Sequence, residues 1–210
     1  MIRVKSAGER DYTQLFPQCY QVVALASDVL TDASEASTFR RMHTTDVSST
    51  LARLFSELVE GAARDGAFIL NSGDAGLLRS LERISEFDAS RSLNGGATIA
   101  AHAQHLRYGL SLMNRWARDG GNPFADATWD AAWKIGVVNE QEWQEIRDGL
   151  RAEAQQWLAA LAAPRQASDA ELTGMVGSIA HLAYHLGAIR QISKEARGPK
   201  EGQFQEPSPR

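Results

Sequence analysis

Apolar residues recur at helical spacing in several stretches of the chain. The first clear stripe follows Val47 and places six apolar residues on one face of a helix. Any of Ser48, Ser49 and Thr50 is a suitable N-cap for it. The pattern therefore predicts an amphipathic helix that begins near residue 50. Its stripe consists of Leu51, Leu54, Phe55, Leu58, Val59 and Ala62.

Three more long helices are predicted downstream, because each later stripe lies between a capping residue and a helix breaker. A shorter helical piece is expected between the first and second of the four, from Leu77 to Ile84. The connection from Phe124 to Val138 is rich in aromatic residues. The predicted N-caps are Thr98, Asn139 and Ser168 or Asp169, and the breakers are Gly120–Pro123, Pro164 and Gly198–Pro199.

The fold class predicted from this pattern is all-α. No segment shows the period of two that is typical of a half-buried strand, and four apolar stripes must cover one another. A four-helix bundle over residues 46–197 is the natural arrangement. Residues 1–45 show no long stripe and are expected to form an N-terminal extension, partly disordered or with one short helix. Residues 198–210 are polar, and we expect a disordered tail.

Composition and charge exclude several classes of partner. With 43% hydrophobic residues, the 210-residue chain can bury one substantial core. A net charge of −4 and scattered basic residues argue against a nucleic-acid-binding surface. No apolar run approaches the roughly 18 residues of a membrane span. The single cysteine, Cys19, cannot form an internal disulfide, so we expect a cytoplasmic protein that contacts neither nucleic acid nor membrane.

Histidines lie on two of the predicted helices at a spacing that suits a metal ion. His181 and His185 are four residues apart, which places both imidazoles on one face, one turn apart. Such a pair alone is more typical of packing or of the surface. His102 and His105 lie on another predicted helix, and three imidazoles from two facing helices can form an open metal site.

Other metal sites lack their characteristic residues. Leu182 follows His181, at the position where a His-Glu-x-x-His metalloprotease carries its glutamate base. No glutamate lies three residues before a histidine, which excludes the Glu-x-x-His motif of di-iron bundles. One cysteine cannot build a zinc finger. A mononuclear site with three histidines and open positions remains.

Two motifs in this order resemble those of the DinB/YfiT-like superfamily. The first, Thr-Ile-Ala-x-x-x-x-His-Leu, begins at Thr98, and the second, His-x-x-x-His-x-Gly-x-Ile-Arg, begins at His181. The resemblance covers about residues 47–195. It implies an up-down-down-up four-helix bundle whose divalent metal ion, nickel or zinc, is held by three histidines. In this sequence those ligands are His105, His181 and His185.

The resemblance also implies an activity. Family members include transferases that join a low-molecular-weight thiol to an electrophile, and a maleylpyruvate isomerase. His102 lies where the family usually has an apolar residue, so it either contacts a ligand histidine or packs in the core. The family's Gly-Gln after the last ligand is here Gly187-Ala188, with Gln191 further along, so the role of the family's glutamine is not carried over to this sequence.

Three functions are compatible with these features. The first is a metal-dependent enzyme, most plausibly a thiol-dependent S-transferase whose partners are a small-molecule thiol and an electrophile. The alternative is a non-catalytic metal- or ligand-binding bundle. In the third, the histidines bind no metal and the bundle serves protein association. A homodimer is an open option in each case, and no residue is assigned a catalytic role beyond metal binding.

Overall fold

The computed structural model describes residues 44–200 except residue 65, and every regular element in that range is a helix. No strand occurs among these residues, so the predicted all-α class is confirmed. The expectations for Cys19, for a short N-terminal helix and for a disordered tail from residue 201 lie outside the described residues. The helices are α1 (Thr44–Glu60), α2 (Gly76–Glu82), α3 (Glu86–Ala89), α4 (Ile99–Asp119), α5 (Trp129–Trp133), α6 (Glu140–Ala162) and α7 (Asp169–Ile192).

Helix α1 begins earlier than the sequence pattern predicts. It starts at Thr44, within the expected N-terminal extension, and Ser48, Ser49 and Thr50 lie inside the helix. The prediction that one of these three is the N-cap is therefore wrong. The reason is that the stripe marks only the buried face, and the first turn of α1 is polar. Ser48 is buried, and its hydroxyl donates to the carbonyl of Ala163 just beyond α6.

The predicted starts of α4, α6 and α7 are confirmed. The Thr98 hydroxyl accepts a hydrogen bond from a backbone N–H in the first turn of α4. Asn139 and Ser168 do the same for α6 and α7, through the N–H groups of Glu142 and Glu171. Each glutamate in turn accepts from the backbone N–H of the cap, which completes a capping box. The caps at Thr98 and Ser168 therefore fix where α4 and α7, the two helices that carry the histidines, begin.

Helix α7 ends at Ile192, before the predicted breaker at Gly198–Pro199. Ser193 adopts an extended conformation, and the chain turns back towards the helix end. The Arg190 side chain donates to the carbonyl of Ala196, and that of Arg197 donates to the carbonyl of Arg190. The carbonyl of Arg190 thus has a donor that a further helical turn would otherwise supply. Ala196 is fully buried.

Two glycines allow the end of α1 to lie directly against the start of α2. Gly61 and Gly76 both have positive φ angles, 111° and 72°. A Cβ atom on Gly61 would clash with the backbone of Asp74, and one on Gly76 would clash with the backbone of Gly61. The close approach therefore requires glycine at both positions, for steric and conformational reasons together.

The four long helices supply most of the core. Helix α1 contacts α6 and α7, and helix α4 contacts the same two helices. The largest fully buried side chains include Phe55 of α1 and both Trp143 and Trp157 of α6. None of the described helices combines the length and the apolar character needed to cross a bilayer. For the site, the important contact is that between α4 and α7, since these helices carry the histidines.

Candidate metal centre

Four imidazoles meet where α4 contacts α7. His102 and His105 lie one turn apart on α4, and His181 and His185 lie one turn apart on α7. The Nε2 atoms of His105 and His181 are 3.0 Å apart. The Nδ1 atoms of His102 and His185 are 2.8 Å apart. The two imidazoles of α4 therefore face the two imidazoles of α7.

Three of these side chains are close enough to share one ion. One nitrogen from each of His105, His181 and His185 lies within 4.8 Å of the other two. The ring centroids of these three residues are 4.4 to 5.1 Å apart. No carboxylate or thiol belongs to this group, which is the one set of such side chains among the described residues that can hold a metal ion. Its ligands would all be imidazoles.

Burial keeps these histidines neutral. His105 and His185 are 5% and 2% exposed, whereas His181 is only half-buried. Loss of hydration, with a smaller contribution from repulsion between neighbouring imidazoles, lowers the pKa of His105 to about 3 and that of His185 to about 2. Burial also lowers the pKa of His181. A metal ion binds the neutral imidazole, so the cluster is already in its binding form at neutral pH.

One polar atom of the cluster has no partner among the described residues. The Nδ1 atom of His105 is buried and makes no hydrogen bond there, while Nε2 of the same ring faces His181. A buried polar group without a partner costs about 1–3 kcal/mol. Because Nε2 is the nitrogen that faces His181, an ion bound there would not supply the partner that Nδ1 lacks.

Helix α5 places two tryptophans beside the cluster. The ring of Trp133 stacks on that of His105, with centroids 4.3 Å apart and an interplanar angle of 26°. Trp129 lies 5.3 Å from the same imidazole and also packs near Gly109, where a larger residue would approach its ring. Trp133 is 39% exposed, so the aromatic wall lies between the histidines and the surface.

The structure brings together the three histidines predicted as ligands. His102, for which two roles were open, contacts His185 and lies near the core at 9% exposure. His43, the remaining histidine, lies outside the described residues. The connection from Phe124 to Val138 is rich in aromatic residues, but nothing in the sequence predicts that its tryptophans lie at this site. Their only signal was the density of aromatic residues before α6, which indicates no particular contact.

Comparisons with protein-family models, with curated proteins and with solved structures gave no match to this chain. The resemblance of its histidine motifs to the DinB/YfiT-like superfamily therefore stays a prediction. What the chain does must be inferred from the arrangement of its own residues.

Proposed function

We propose that the chain is a divalent-metal-dependent enzyme of the DinB/YfiT-like type, in which His105, His181 and His185 hold the ion. The observation that carries this proposal is the convergence of three neutral imidazoles, from two helices, within 4.8 Å. Two unprotonated Nε2 atoms at 3.0 Å repel each other unless a proton or a cation lies between them. A metal ion satisfies all three rings at once.

Nickel or zinc, the two metals that the family resemblance implies, both bind imidazole nitrogens. For two nitrogens each about 2.1 Å from an ion, a separation like that of His105 and His181 corresponds to an angle of roughly 90°. A tetrahedral angle would separate them by about 3.4 Å. The 3.0 Å separation describes this one pair without an ion, whereas the three nitrogens together span up to 4.8 Å, so the choice between nickel and zinc is left to metal analysis.

The packing of the long helices supports the topology proposed with this function. Each of α1, α4, α6 and α7 has two long neighbours, and the weaker pairings are α1 with α4 and α6 with α7. This closed set of contacts fits an up-down-down-up four-helix bundle, in which consecutive helices need not be neighbours. The connection that contains α5 is long enough to cross from α4 to α6, and it covers the histidine cluster on the way.

We further propose thiol-dependent S-transfer as the reaction. A divalent ion held by neutral ligands keeps its charge and lowers the pKa of a thiol that enters the site. The protein itself supplies no carboxylate to the cluster, so a reaction that needs a dedicated acid or base fits less well. Trp129 and Trp133 supply an apolar wall that can hold the electrophile and exclude water.

A non-catalytic metal-binding protein is the second candidate, because one observation fits it as well as it fits S-transfer. Beyond the imidazoles, no carboxylate or thiol belongs to the cluster in the part of the chain that is described. An S-transferase does not require one, because its nucleophile comes from the thiol substrate. A metal-storage or metal-sensing protein does not require one either, so the two must be separated by experiment.

The test begins with metal analysis of protein purified without a histidine tag. We expect one divalent ion per chain in the wild type and in His43→Ala, and loss of most metal in His181→Ala. The cobalt-substituted protein is then titrated with cellular thiols, and chloro-dinitrobenzene or monochlorobimane serves as the electrophile. A thiol that changes the cobalt spectrum and reacts only in the metal-loaded protein supports S-transfer. Bound metal without any response to thiols would support the binding protein, and absence of metal would overturn both.

A further inference from the structure

We propose that His102 positions His185 for metal binding by accepting a hydrogen bond from its Nδ1–H group, an inference that rests on the proposed metal centre. The two Nδ1 atoms are 2.8 Å apart, within hydrogen-bond distance, and both rings are buried. His102 is not itself one of the three residues whose nitrogens converge. It contacts the ligand His185 and would act on the metal only through that residue.

The chemistry of two facing imidazoles restricts where their protons lie. A neutral imidazole carries one proton, on either Nδ1 or Nε2, and the other nitrogen is an acceptor. At 2.8 Å exactly one of the two Nδ1 atoms must carry a proton, because two lone pairs or two N–H groups would repel. The contact therefore couples the tautomer of His185 to that of His102.

Only one of the two arrangements leaves His185 ready to bind an ion. If His185 donates from Nδ1, its Nε2 atom has a free lone pair. If His102 donates instead, Nε2 of His185 carries the proton and cannot be a ligand. Since Nδ1 of His185 is engaged by His102, Nε2 is the nitrogen left for the metal. Outer partners of this kind commonly fix the tautomer and orientation of a ligating histidine.

Helix α4 and α5 hold the His102 ring in place. Its backbone N–H donates to the carbonyl of Thr98, the N-cap of α4, so the residue lies in the first turn of a capped helix. Trp133 meets the ring nearly at right angles, at 87°, with centroids 5.4 Å apart. A ring held in this way presents Nδ1 in a fixed direction, which is what a positioning residue must do.

Nuclear magnetic resonance of imidazole-¹⁵N-labelled protein measures the tautomers directly. In metal-free wild type near pH 8, we expect His185 to carry its proton on Nδ1 and His102 to carry it on Nε2. In His102→Phe, which keeps a ring but removes the acceptor, His185 should shift towards the Nε2–H form. In His102→Asn, whose amide oxygen can accept near the same place, the Nδ1–H form should persist. Wild-type His185 protonated on Nε2 would overturn the proposal, whatever the variants do.

Metal affinity supplies the second measurement. Competition with a chelator should show a dissociation constant about 10–100-fold higher in His102→Phe than in wild type, and a value near wild type in His102→Asn. Equal affinity in wild type and His102→Phe would overturn the role of His102 while leaving the metal centre intact. Absence of metal from the wild type would instead overturn the proposed function, and the tautomer measurement, made without metal, would still decide the role of His102.

Discussion

Trp133 stacks on His105 across the surface side of the histidine cluster, with ring centroids 4.3 Å apart. The indole therefore lies against a proposed metal ligand, and its fluorescence should respond to what that ligand binds. The chain has five tryptophans, and Trp116, on the same helix as His105, is partly buried against the core, where its ring packs near that of Trp157. The fluorescence of Trp133 can thus report metal binding, and that of Trp116 can be the reference.

We expect nickel or cobalt binding to quench the tryptophan emission, because open-shell ions quench nearby excited rings. The quenched fraction should fall clearly in Trp133→Phe and stay near wild type in Trp116→Phe. Titration of each protein with nickel, followed by emission, measures this. Equal quenching in both variants would mean that the ion binds away from His105.

Replacing any one of the three proposed ligands should remove most of the metal. His185→Ala removes the most buried of them, at 2% exposure, and leaves two imidazoles that hold an ion much more weakly. We expect at least about a tenfold loss of affinity, measured by chelator competition. Stoichiometric metal in purified His185→Ala would contradict the assignment.

The metal-free protein should lose stability as the pH falls from about 6.5 to about 4. An unfolded histidine has a pKa near 6.5, whereas in the folded protein the values are about 4 for His102, 3 for His105 and 2 for His185. Below pH 6.5 the unfolded chain thus binds protons that the folded chain does not, and unfolding becomes easier. Each such histidine therefore lowers the free energy of unfolding progressively as the pH falls through that range.

Urea denaturation across this pH range measures the effect. Above pH 7 the histidine contribution should be flat, since both states are then neutral. In His105→Ala the free energy of unfolding should depend less steeply on pH than in wild type, because one buried imidazole is gone. A wild-type slope that is flat between pH 6.5 and 4 would show that the rings accept protons in the folded state.

The ion pair between Asp74 and Arg190 should contribute strongly to stability. Their closest atoms are 2.6 Å apart, and the Asp74 side chain is only 2% exposed. Asp74→Asn leaves the arginine without its partner, and we expect a loss of about 3 kcal/mol in the free energy of unfolding. The matched control is Arg118→Gln, which breaks a pair exposed by 62% and 52% and should cost far less, because solvent screens an exposed pair. Equal losses in the two variants would contradict this ranking.

Glu57 should hold the segment that follows α1. Its carboxylate, on a side chain that is nearly buried, accepts hydrogen bonds from the backbone N–H groups of Phe68, Ile69 and Leu70 at 2.7 to 3.1 Å. Glu57→Ala leaves these donors without partners, so their amide hydrogens should exchange faster while those of α6 change little. Unchanged exchange at Phe68 to Leu70 would mean that other contacts order the segment.

The sequence was sufficient to predict the helices that carry the site. Thr98, Asn139 and Ser168 mark helix starts because capping is a local interaction between a side chain and the next turn. The start of α1 at Thr44 was missed, since a polar first turn leaves no periodic signal. Helices α3 and α5, of four and five residues, are too short for a 3.6-residue period to be recognised.

The histidine cluster was predictable only in part, for a similar reason. A spacing of four places His181 and His185 on one face, and this follows from helix geometry alone. Which of the two α4 histidines meets which partner depends on the rotation and height of α4 against α7, and that is decided by the whole core. No local sequence pattern therefore predicts the contact of His102 with His185 or that of Trp133 with His105. Both depend on the tertiary structure.

Arg190 lies five residues beyond His185 on the same helix, and this has a consequence for how the molecule responds to ligands. Asp74 holds Arg190 from the segment between α1 and α2, and the same carboxylate accepts from the N–H of Gly76. A helix rises about 1.5 Å per residue, so the Cα atoms of His185 and Arg190 are roughly 7.5 Å apart along the axis of α7. Coupling between two sites is reciprocal. An ion bound at His185 should stabilise α7 and thereby make opening of the segment around Asp74 less frequent. Conversely, opening of that segment should lower the affinity for the ion by the same factor.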